Sequence, residues 1–379
     1  MHRVYLDHAA STPLEPEIHA VLDRLGRHAC GNPSSLHWHG REARRLVEDA
    51  REEVARLLGV EPAEVIFTSG ATEANNLALA GWRSEEGDPP RRIALSTIEH
   101  ASVFECLEAS GRSSSFVPVD AAGRIRMDRL EEILAEGVDL VAIIAASNEV
   151  GTIQDVERAA ALCDRAGVHL HLDAVQLVAR GRLDLGKLVG VGTASISGHK
   201  LGGPPGCGAL FVRRGVHLAP ILRGGGQERG LRAGTENLSG IVGLGEASRL
   251  AASLMEERLA TLRRLERVFL AALAEALPAA HLQGAPREES LPGLLSIRFP
   301  GIKAERFLLA LDLEGVSVSM GSACASGASR PSRVLEALGI PLVENLETLR
   351  ISLGWHQDAD EIALAVDRMK KVALRLARA

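Results

Sequence analysis

Cysteine is sparse and aromatic residues are few: five Cys, three Trp, one Tyr and seven Phe in 379 residues. The cysteines, Cys30, Cys106, Cys163, Cys207 and Cys324, are odd in number, scattered, and form no C-x-x-C pair. That excludes a disulfide framework and a zinc ribbon, and unpaired thiols point to a reducing, cytoplasmic setting. No long hydrophobic run is present either. The longest clear one, residues 140–146, falls far short of the roughly 20 residues that a bilayer-spanning helix needs. Asp7 and His8 arrive before any apolar stretch forms, so no signal peptide is expected. Positive charge is not in excess: 43 Lys and Arg face 49 Asp and Glu, for a net charge of -6. This argues against a surface built mainly for nucleic acid. The aromatic shortage accompanies abundant Ala, Leu, Arg and Gly and reads as compositional drift.

What is present is an ordinary globular mixture, 46% apolar and 24% charged, in a chain long enough for two or three domains. Strand-like and helix-like segments alternate. Leu46, Ala50, Val54, Leu57 and Leu58 share a helical face that Gly59 ends. Buried strands are predicted at 65–68, 138–145, 168–172, 194–197 and 209–212, with helices between several of them, as at 156–166. This alternation predicts a largely parallel sheet covered by helices on both faces. The texture changes near residue 255. A long helix is predicted over 254–277, then a strand at 294–299, a helix at 304–313 and a Gly/Ser-rich loop at 321–332. The final helix carries Ile362, Val366, Met369 and Leu376 on one side. The expectation is a large α/β domain over residues 14–255 and a smaller α+β domain formed by 1–13 with 256–379. Residues 83–92 read as a solvated surface loop.

Three constellations carry chemistry. Thr68-Ser69-Gly70-Ala71-Thr72-Glu73 follows a strand and opens a predicted helix over 73–80. Its small residues and helix N-terminus suit a phosphate, although Ser69 or Thr72 as an ordinary N-cap explains it equally simply. In His169-Leu170-His171-Leu172-Asp173, alternation puts both histidines and the aspartate on one strand face. A metal site, a polar strand end with satisfied hydrogen bonds, and a functional carboxylate at the C-terminal end of a parallel strand all fit. Ser197-Gly198-His199-Lys200 ends the next strand among glycines 202, 203, 206 and 208, which makes Lys200 a candidate Schiff-base amine or a surface lysine beyond a turn. Together the three are more specific. Pyridoxal phosphate (PLP) needs an anchor for its phosphate, an anion for its ring nitrogen and an amine for its aldehyde. No G-x-x-x-x-G-K-[ST] loop competes, and Gly224-Gly225-Gly226 opens no strand–turn–helix unit, so no dinucleotide fingerprint is supported.

These segments belong to an ordered series: YLDHAASTP, GNPSSLHWHGREAR, IFTSGATEANNLAL, STIEHASV, SNEVGTIQD, HLDAVQ, SISGHKLGGPPG, GGGQERGLRAGTEN, GSACASG and LRISLG. Over about 350 residues it resembles the cysteine desulfurases of the nitrogen-fixation and housekeeping iron–sulfur assembly group, NifS and IscS, which are class-V aminotransferase-like PLP enzymes. The resemblance implies the fold of the PLP-dependent transferases (aminotransferase fold type I), with PLP as cofactor, no metal, and L-cysteine as substrate. Lys200 is implied to hold the cofactor, Asp173 to face its ring nitrogen, His100 to stack on the ring and handle protons, and Gln176 to lie near the ring oxygen. Gly70, Ala71, Thr72, Ser197 and His199 are implied phosphate ligands. Thr235 is implied to reach the phosphate of a partner subunit, which makes the protein a homodimer. Asn148 and Arg350 are implied to hold the substrate carboxylate. Cys324, in the small-residue loop Gly321-Ser322-Ala323-Cys324-Ala325-Ser326-Gly327, is implied to take the sulfur as a persulfide.

The implied reaction converts L-cysteine to L-alanine and passes sulfur to an acceptor protein such as an iron–sulfur scaffold or a thiolation protein. Lys200 or His100 removes the substrate α-proton, and the thiolate of Cys324 attacks the substrate sulfur. Three departures stand out. Met320 replaces a small hydroxyl residue usual before the glycine, which bears on loop packing, and Pro205 stands where many members have Lys. The chain ends at Ala379 without the longer tail of some members, which calls scaffold docking through such a tail into question. A selenocysteine lyase or an aminotransferase on the same fold, or a non-catalytic sulfur-assembly scaffold, are the alternatives. Cys324 counts against the aminotransferase, and retention of Lys200 and Cys324 counts against the scaffold.

Overall fold

Residues 65–68 show how the main sheet is built. Val-Ile-Phe-Thr is β-branched and aromatic, and all four side chains are buried, as in a strand covered on both faces. A computed structural model describes residues 2–28, 31–321 and 331–376. In it this strand, β1 (Val65–Thr68), joins β2 (Arg92–Ser96), β3 (Ser113–Val117), β4 (Leu140–Ile144), β5 (His169–Asp173), β6 (Val191–Ser197) and β7 (Gly208–Val212). The seven-stranded order is β1-β7-β6-β5-β4-β2-β3. Neighbours from β6 through β5, β4 and β2 to β3 pair in parallel, while β7 runs antiparallel to both β6 and β1. Each parallel link requires a crossover, and helices supply it.

A second, antiparallel sheet is formed by β8 (His281–Gln283), β9 (Leu294–Arg298) and β10 (Thr348–Ser352). The chain's first strand, Val4–Tyr5, pairs in parallel with Val316–Ser317, which ties the N-terminal residues to the C-terminal third. Two large apolar clusters result. One lies around the main sheet; the other gathers Val4, Leu6, Leu262, Phe269, Leu295, Phe307, Leu349 and Met369.

Helix α1 (Trp38–Leu58) buries Val47, Ala50, Val54 and Leu58 and ends where Gly59 takes a left-handed φ of 68°. The predicted helices at 156–166 and 304–313 appear with those bounds. The long helix differs from its prediction: it spans Leu238–Ala276, beginning 16 residues before 254. Gly240, Gly243 and Gly245 hide its start, since glycine disfavours helix interiors. Packing explains them. A Cβ on Gly245 would lie 2.6 Å from the Cα of Ala50 in α1, so only glycine lets the two helices approach. The helix contributes Ile241, Leu244 and Leu250 to the first cluster and Leu262, Leu265 and Phe269 to the second.

The Gly/Arg-rich loop carrying Thr235 is pinned by an internal ion pair. Glu228 takes a left-handed conformation (φ 45°, ψ 47°), as does Arg229 (φ 56°, ψ 31°), where a side chain is strained. The Glu228 carboxylate compensates by accepting from Arg51 Nη2 at 2.7 Å, Arg51 Nη1 at 2.9 Å and the Phe67 N–H at 2.7 Å. Both side chains are nearly fully buried. Removing one partner strands a buried charge, a loss of about 3–5 kcal/mol. Glu228→Gln is therefore expected to lower the urea unfolding free energy by about that amount, and the double variant Glu228→Leu with Arg51→Met by distinctly less. Equal losses in the two variants would contradict the ion-pair account.

Candidate active site

The C-terminal ends of the parallel strands converge on one cavity of about 350 Å³, the place where open α/β sheets form sites. β1 leads through Ser69 and Gly70 into helix α2 (Ala71–Gly81), β5 ends in Asp173, and β6 runs through Ser197 into Lys200. Gly70, Ala71, Thr72, His100, Asn148, Asp173, Gln176, Ser197, His199, Lys200 and Arg350 all line this cavity. Thr235 does not; it is exposed on the Gly/Arg-rich loop. Cys324 lies outside the described residues.

At the mouth of α2 the backbone of Gly70 adopts φ 154° and ψ 179°, a region accessible essentially to glycine alone. A Cβ built there would meet only Ser197 Oγ, at 3.9 Å. The first turn of α2 lines the cavity with N–H groups that have no intrahelical partner and with the positive end of the helix dipole. His199 sits nearby with its pKa pushed down to about 4, by burial first and by the Lys200 charge second. It is therefore neutral at physiological pH.

The Lys200 ammonium donates to the carbonyls of Ala9 and Ala10, each at 2.6 Å. Ala9 O also receives Gln176 Nε2 at 2.9 Å. Asp173, 4% exposed, accepts from Asn75 Nδ2 at 2.9 Å and from the Val175 N–H at 3.2 Å. His100 caps helix α3 (Ala101–Ser110) by accepting the Ser102 N–H at its Nδ1. Arg350, in β10, donates Nη1 to Asn148 O at 3.0 Å and Nη2 to Asp7 Oδ1 at 2.9 Å. Those bonds engage two of the five N–H donors that a guanidinium carries. Its buried Nε has no partner among the described residues. The donor set suits an aromatic group with a phosphate, an aldehyde and a basic ring nitrogen, beside a small carboxylate.

The metal reading of the H-x-H-x-D strand meets a different arrangement. His169 Nε2 and His171 Nδ1 both bond the Thr193 hydroxyl at 3.0 Å. No group of three or more His, Cys, Asp or Glu able to hold a metal occurs among the described residues. Several participants had no role in the sequence reading: the carbonyls of Ala9 and Ala10, Asp7, Asn75, Ser102 and Glu99. The YLDHAASTP segment was visible, but backbone acceptors leave no trace in residue identity.

Residues 4–364 match the aminotransferase class-V family, and the chain belongs to that family. More particularly, it is similar to the cysteine desulfurase IscS of Dictyoglomus turgidum, at 38% identity over 376 residues covering 98% of this chain and 95% of that protein. A solved NifS-like protein superposes with TM-score 0.92 and 35% identity, covering 99% of this chain and 100% of that one. A solved SspA in complex with cysteine gives TM-score 0.81 and 30% identity over 94% of this chain and 100% of that one.

Glu99, next to His100, yields a test of the site's electrostatics. Burial above all, helped by Asp173, raises its pKa to about 8 against hydrogen bonds from Ser96 and the Ile144 N–H. Its Oε2 has no hydrogen-bond partner among the described residues. The folded state thus holds a proton that the unfolded chain releases near the ordinary glutamate value of 4.5. This raised pKa gives stability that is present at low pH and lost as pH rises from there toward 8. Glu99→Gln removes that titration. Its melting temperature relative to wild type is expected to be higher at pH 8.5 than at pH 5; a pH-independent difference would contradict the buried, protonated carboxyl.

Proposed function

We propose that the chain is a PLP-dependent cysteine desulfurase that converts L-cysteine to L-alanine and keeps the sulfur as a persulfide on Cys324. The observation that carries this reading is one cavity lined by an amine (Lys200), a strand-end carboxylate (Asp173) and a guanidinium (Arg350) beside a helix N-terminus. The cysteine desulfurase names of its relatives and the cysteine-bound neighbour support the substrate. Gly70, Ala71, Thr72, Ser197 and His199 would hold the phosphate, Asp173 the ring nitrogen and Lys200 the aldehyde carbon. When bound, PLP supplies a sink for the electron pair left on the substrate α-carbon.

The protein's own groups do the rest. Arg350 and Asn148 fix the substrate carboxylate, the guanidinium through N–H donors not spent on Asp7 and Asn148 O. Lys200, whose amine would hold the cofactor at rest, would take the substrate α-proton at Nζ. His100 presents Nε2 to the site as a hydrogen donor, because Nδ1 is engaged by Ser102. The Cys324 thiolate then attacks the substrate sulfur: the S–S bond forms, the carbon–sulfur bond breaks, and the carbon keeps the electron pair and gains a proton to give alanine. Cys106, Cys163 and Cys207 are poor rivals, since all three are buried and burial raises their thiols, the last two to about 12.

We assign residues 14–255 to a large cofactor-binding domain and 1–13 with 256–379 to a smaller domain carrying Cys324. The assembly is a homodimer in which Thr235 serves the partner's phosphate. The acceptor is an iron–sulfur scaffold or thiolation protein, in keeping with the IscS name of the relative. No helix among the described residues is long and apolar enough to cross a membrane. The unpaired buried cysteines suit a reducing cytoplasm.

Lys200→Ala is expected to purify without the visible absorbance of wild type, and borohydride reduction of wild type should leave pyridoxyl on Lys200; a label on another lysine overturns the assignment. Cys324→Ser should stay yellow and still change spectrum with cysteine, while alanine and sulfide production fall to near background because a hydroxyl is a far weaker nucleophile. Mass spectrometry of wild type after turnover should find the extra sulfur on the Cys324 peptide, and its appearance on Cys207 would defeat the persulfide assignment.

For the dimer, heterodimers are the test. Lys200→Ala mixed with Thr235→Ala is expected to restore one fully competent site per heterodimer. Because Thr235 acts across the interface, a chain with intact Lys200 regains its phosphate ligand from the Lys200→Ala partner. Phosphate affinity that follows a chain's own Thr235 would contradict the arrangement.

A further inference from the structure

Asn75, buried at 0% exposure in α2, bonds Asp173, Ser102 and His171 together. Asp173 can only accept, so it is the amide nitrogen of Asn75 that faces Oδ2 at 2.9 Å. The same nitrogen donates its second hydrogen to Ser102 Oγ, also at 2.9 Å. The Ser102 oxygen has thus accepted, and its own proton goes to His100 Nδ1 at 2.8 Å. That nitrogen receives the Ser102 backbone N–H as well, at 3.1 Å. With two donors aimed at it, Nδ1 is bare and the proton of neutral His100 sits on Nε2.

The chain continues on the other side. Asn75 Oδ1 accepts from His171 Nε2 at 3.0 Å. His171 Nδ1 is then the acceptor for the Thr193 hydroxyl, whose oxygen takes the His169 Nε2 proton, both at 3.0 Å. One direction satisfies every group from His169 to His100, provided both strand histidines are neutral. Burial lowers the pKa of each to about 3.

We infer that the Asn75 amide is a positioning residue that couples the two working groups of the site, holding Asp173 as a hydrogen-bonded anion and, through Ser102, holding His100 in the Nε2–H tautomer. The inference rests on the PLP reading for the roles of Asp173 and His100, but the proton positions belong to the protein alone. An asparagine is required: only an amide presents two hydrogens to Asp173 and Ser102 and an oxygen to His171 at once. Histidine tautomer and anion position are thereby set by one side chain, and a change at one is felt at the other.

The test uses the full chain, first without cofactor and then titrated with PLP. In wild type, nitrogen-15 spectra of histidine-labelled apoprotein at pH 8 should show His100 with a bare Nδ1 and a protonated Nε2, and His171 likewise. Asn75→Asp, nearly isosteric, offers no donor. Its carboxylate draws the Ser102 hydroxyl hydrogen to itself, so His100 Nδ1 keeps only the Ser102 backbone N–H as a donor and its nitrogen-15 signal should shift. A second carboxylate against Asp173 also weakens the anion that faces the ring nitrogen, and PLP affinity should fall by about tenfold or more. Ser102→Ala cuts only the His100 branch: the His100 Nδ1 signal should shift for loss of one donor while PLP affinity stays within about twofold. This variant keeps the idea testable if Asn75→Asp does not fold.

If Asn75→Asp folds and leaves the His100 Nδ1 signal where wild type has it, or if Ser102→Ala lowers PLP affinity as much as Asn75→Asp, the coupling is overturned. Failure of wild type to bind PLP would instead sink the cofactor reading and leave the apoprotein spectra to decide the wiring.

Discussion

Parallel pairing between β5 and β6 is the constraint on which the site depends. In a parallel pair both strands deliver their C-terminal ends to the same edge, and here Asp173 pairs in register with Ser195, two residues before Ser197. A carboxylate and the turn that leads to Lys200 therefore arrive side by side without any long-range search by loops. β4 sits in register with β5, Ile144 opposite Asp173, and brings the segment leading to Asn148 to the same edge. The one antiparallel intruder, β7, reinforces this. It lies between β6 and β1, and Gly208 at its start passes so close that a Cβ there would meet the Gly70 Cα at 2.7 Å. The phosphate-facing turn and the lysine-bearing turn are held together by backbone contact, which side-chain chemistry alone could not do as tightly.

Burying this many charges needs compensation. Arg350 is 2% exposed and Asp173 4%. An isolated buried ion would change protonation or drive unfolding. Each is instead supplied with partners: Asp7 and Asn148 O for the guanidinium, Asn75 and the Val175 N–H for the carboxylate. Two exceptions fall beside the catalytic groups. Glu99 keeps an oxygen without a hydrogen-bond partner among the described residues and responds by taking up a proton; Glu149, buried and bonded by Ser332 at 2.5 Å, is raised in the same direction, chiefly by burial. A Glu99 carboxyl that holds its proton beside the imidazole keeps the surroundings from becoming strongly anionic, which favours a substrate that carries its own carboxylate.

Much of this was legible in the sequence for identifiable reasons. Strands such as 65–68 and 140–144 are short apolar runs bounded by turn residues, and helices such as 156–166 carry both a capping Asp155 and a terminating Gly167. The side chains of Asp173, Lys200 and Arg350 were legible because their chemistry is carried by the residue type itself. Less legible was whatever depends on backbone. The start of the long helix was masked by glycines that serve interhelical approach, and the acceptors of Lys200 are carbonyls of two alanines. The His169–His171 pair was open to several readings for the opposite reason. Its residue types suit a metal, yet Thr193 on the neighbouring strand satisfies both rings, and no reading of one strand alone reveals which hydroxyl lies across from it.

The N-terminal segment shows how far position in the fold outweighs position in the chain. Val4 and Leu6 are fully buried in the second apolar cluster, while Ala9 belongs to the first. Between and beside them, Asp7 holds Arg350, and the carbonyls of Ala9 and Ala10 hold Lys200 and Gln176. A strand of two residues, Val4–Tyr5 against Val316–Ser317, and a single bridge from Asp7 to Ser352 anchor it. Its location between the clusters does the remainder, since neither end can leave without exposing apolar surface. The segment thereby orients the amine and the guanidinium from one short stretch of backbone. Their separation is then governed by residues 7–10 rather than by the flexible side chains that carry the charge. A lysine and an arginine each have several rotatable bonds, and fixing both heads by hydrogen bonds before substrate arrives removes an entropic cost that binding would otherwise bear.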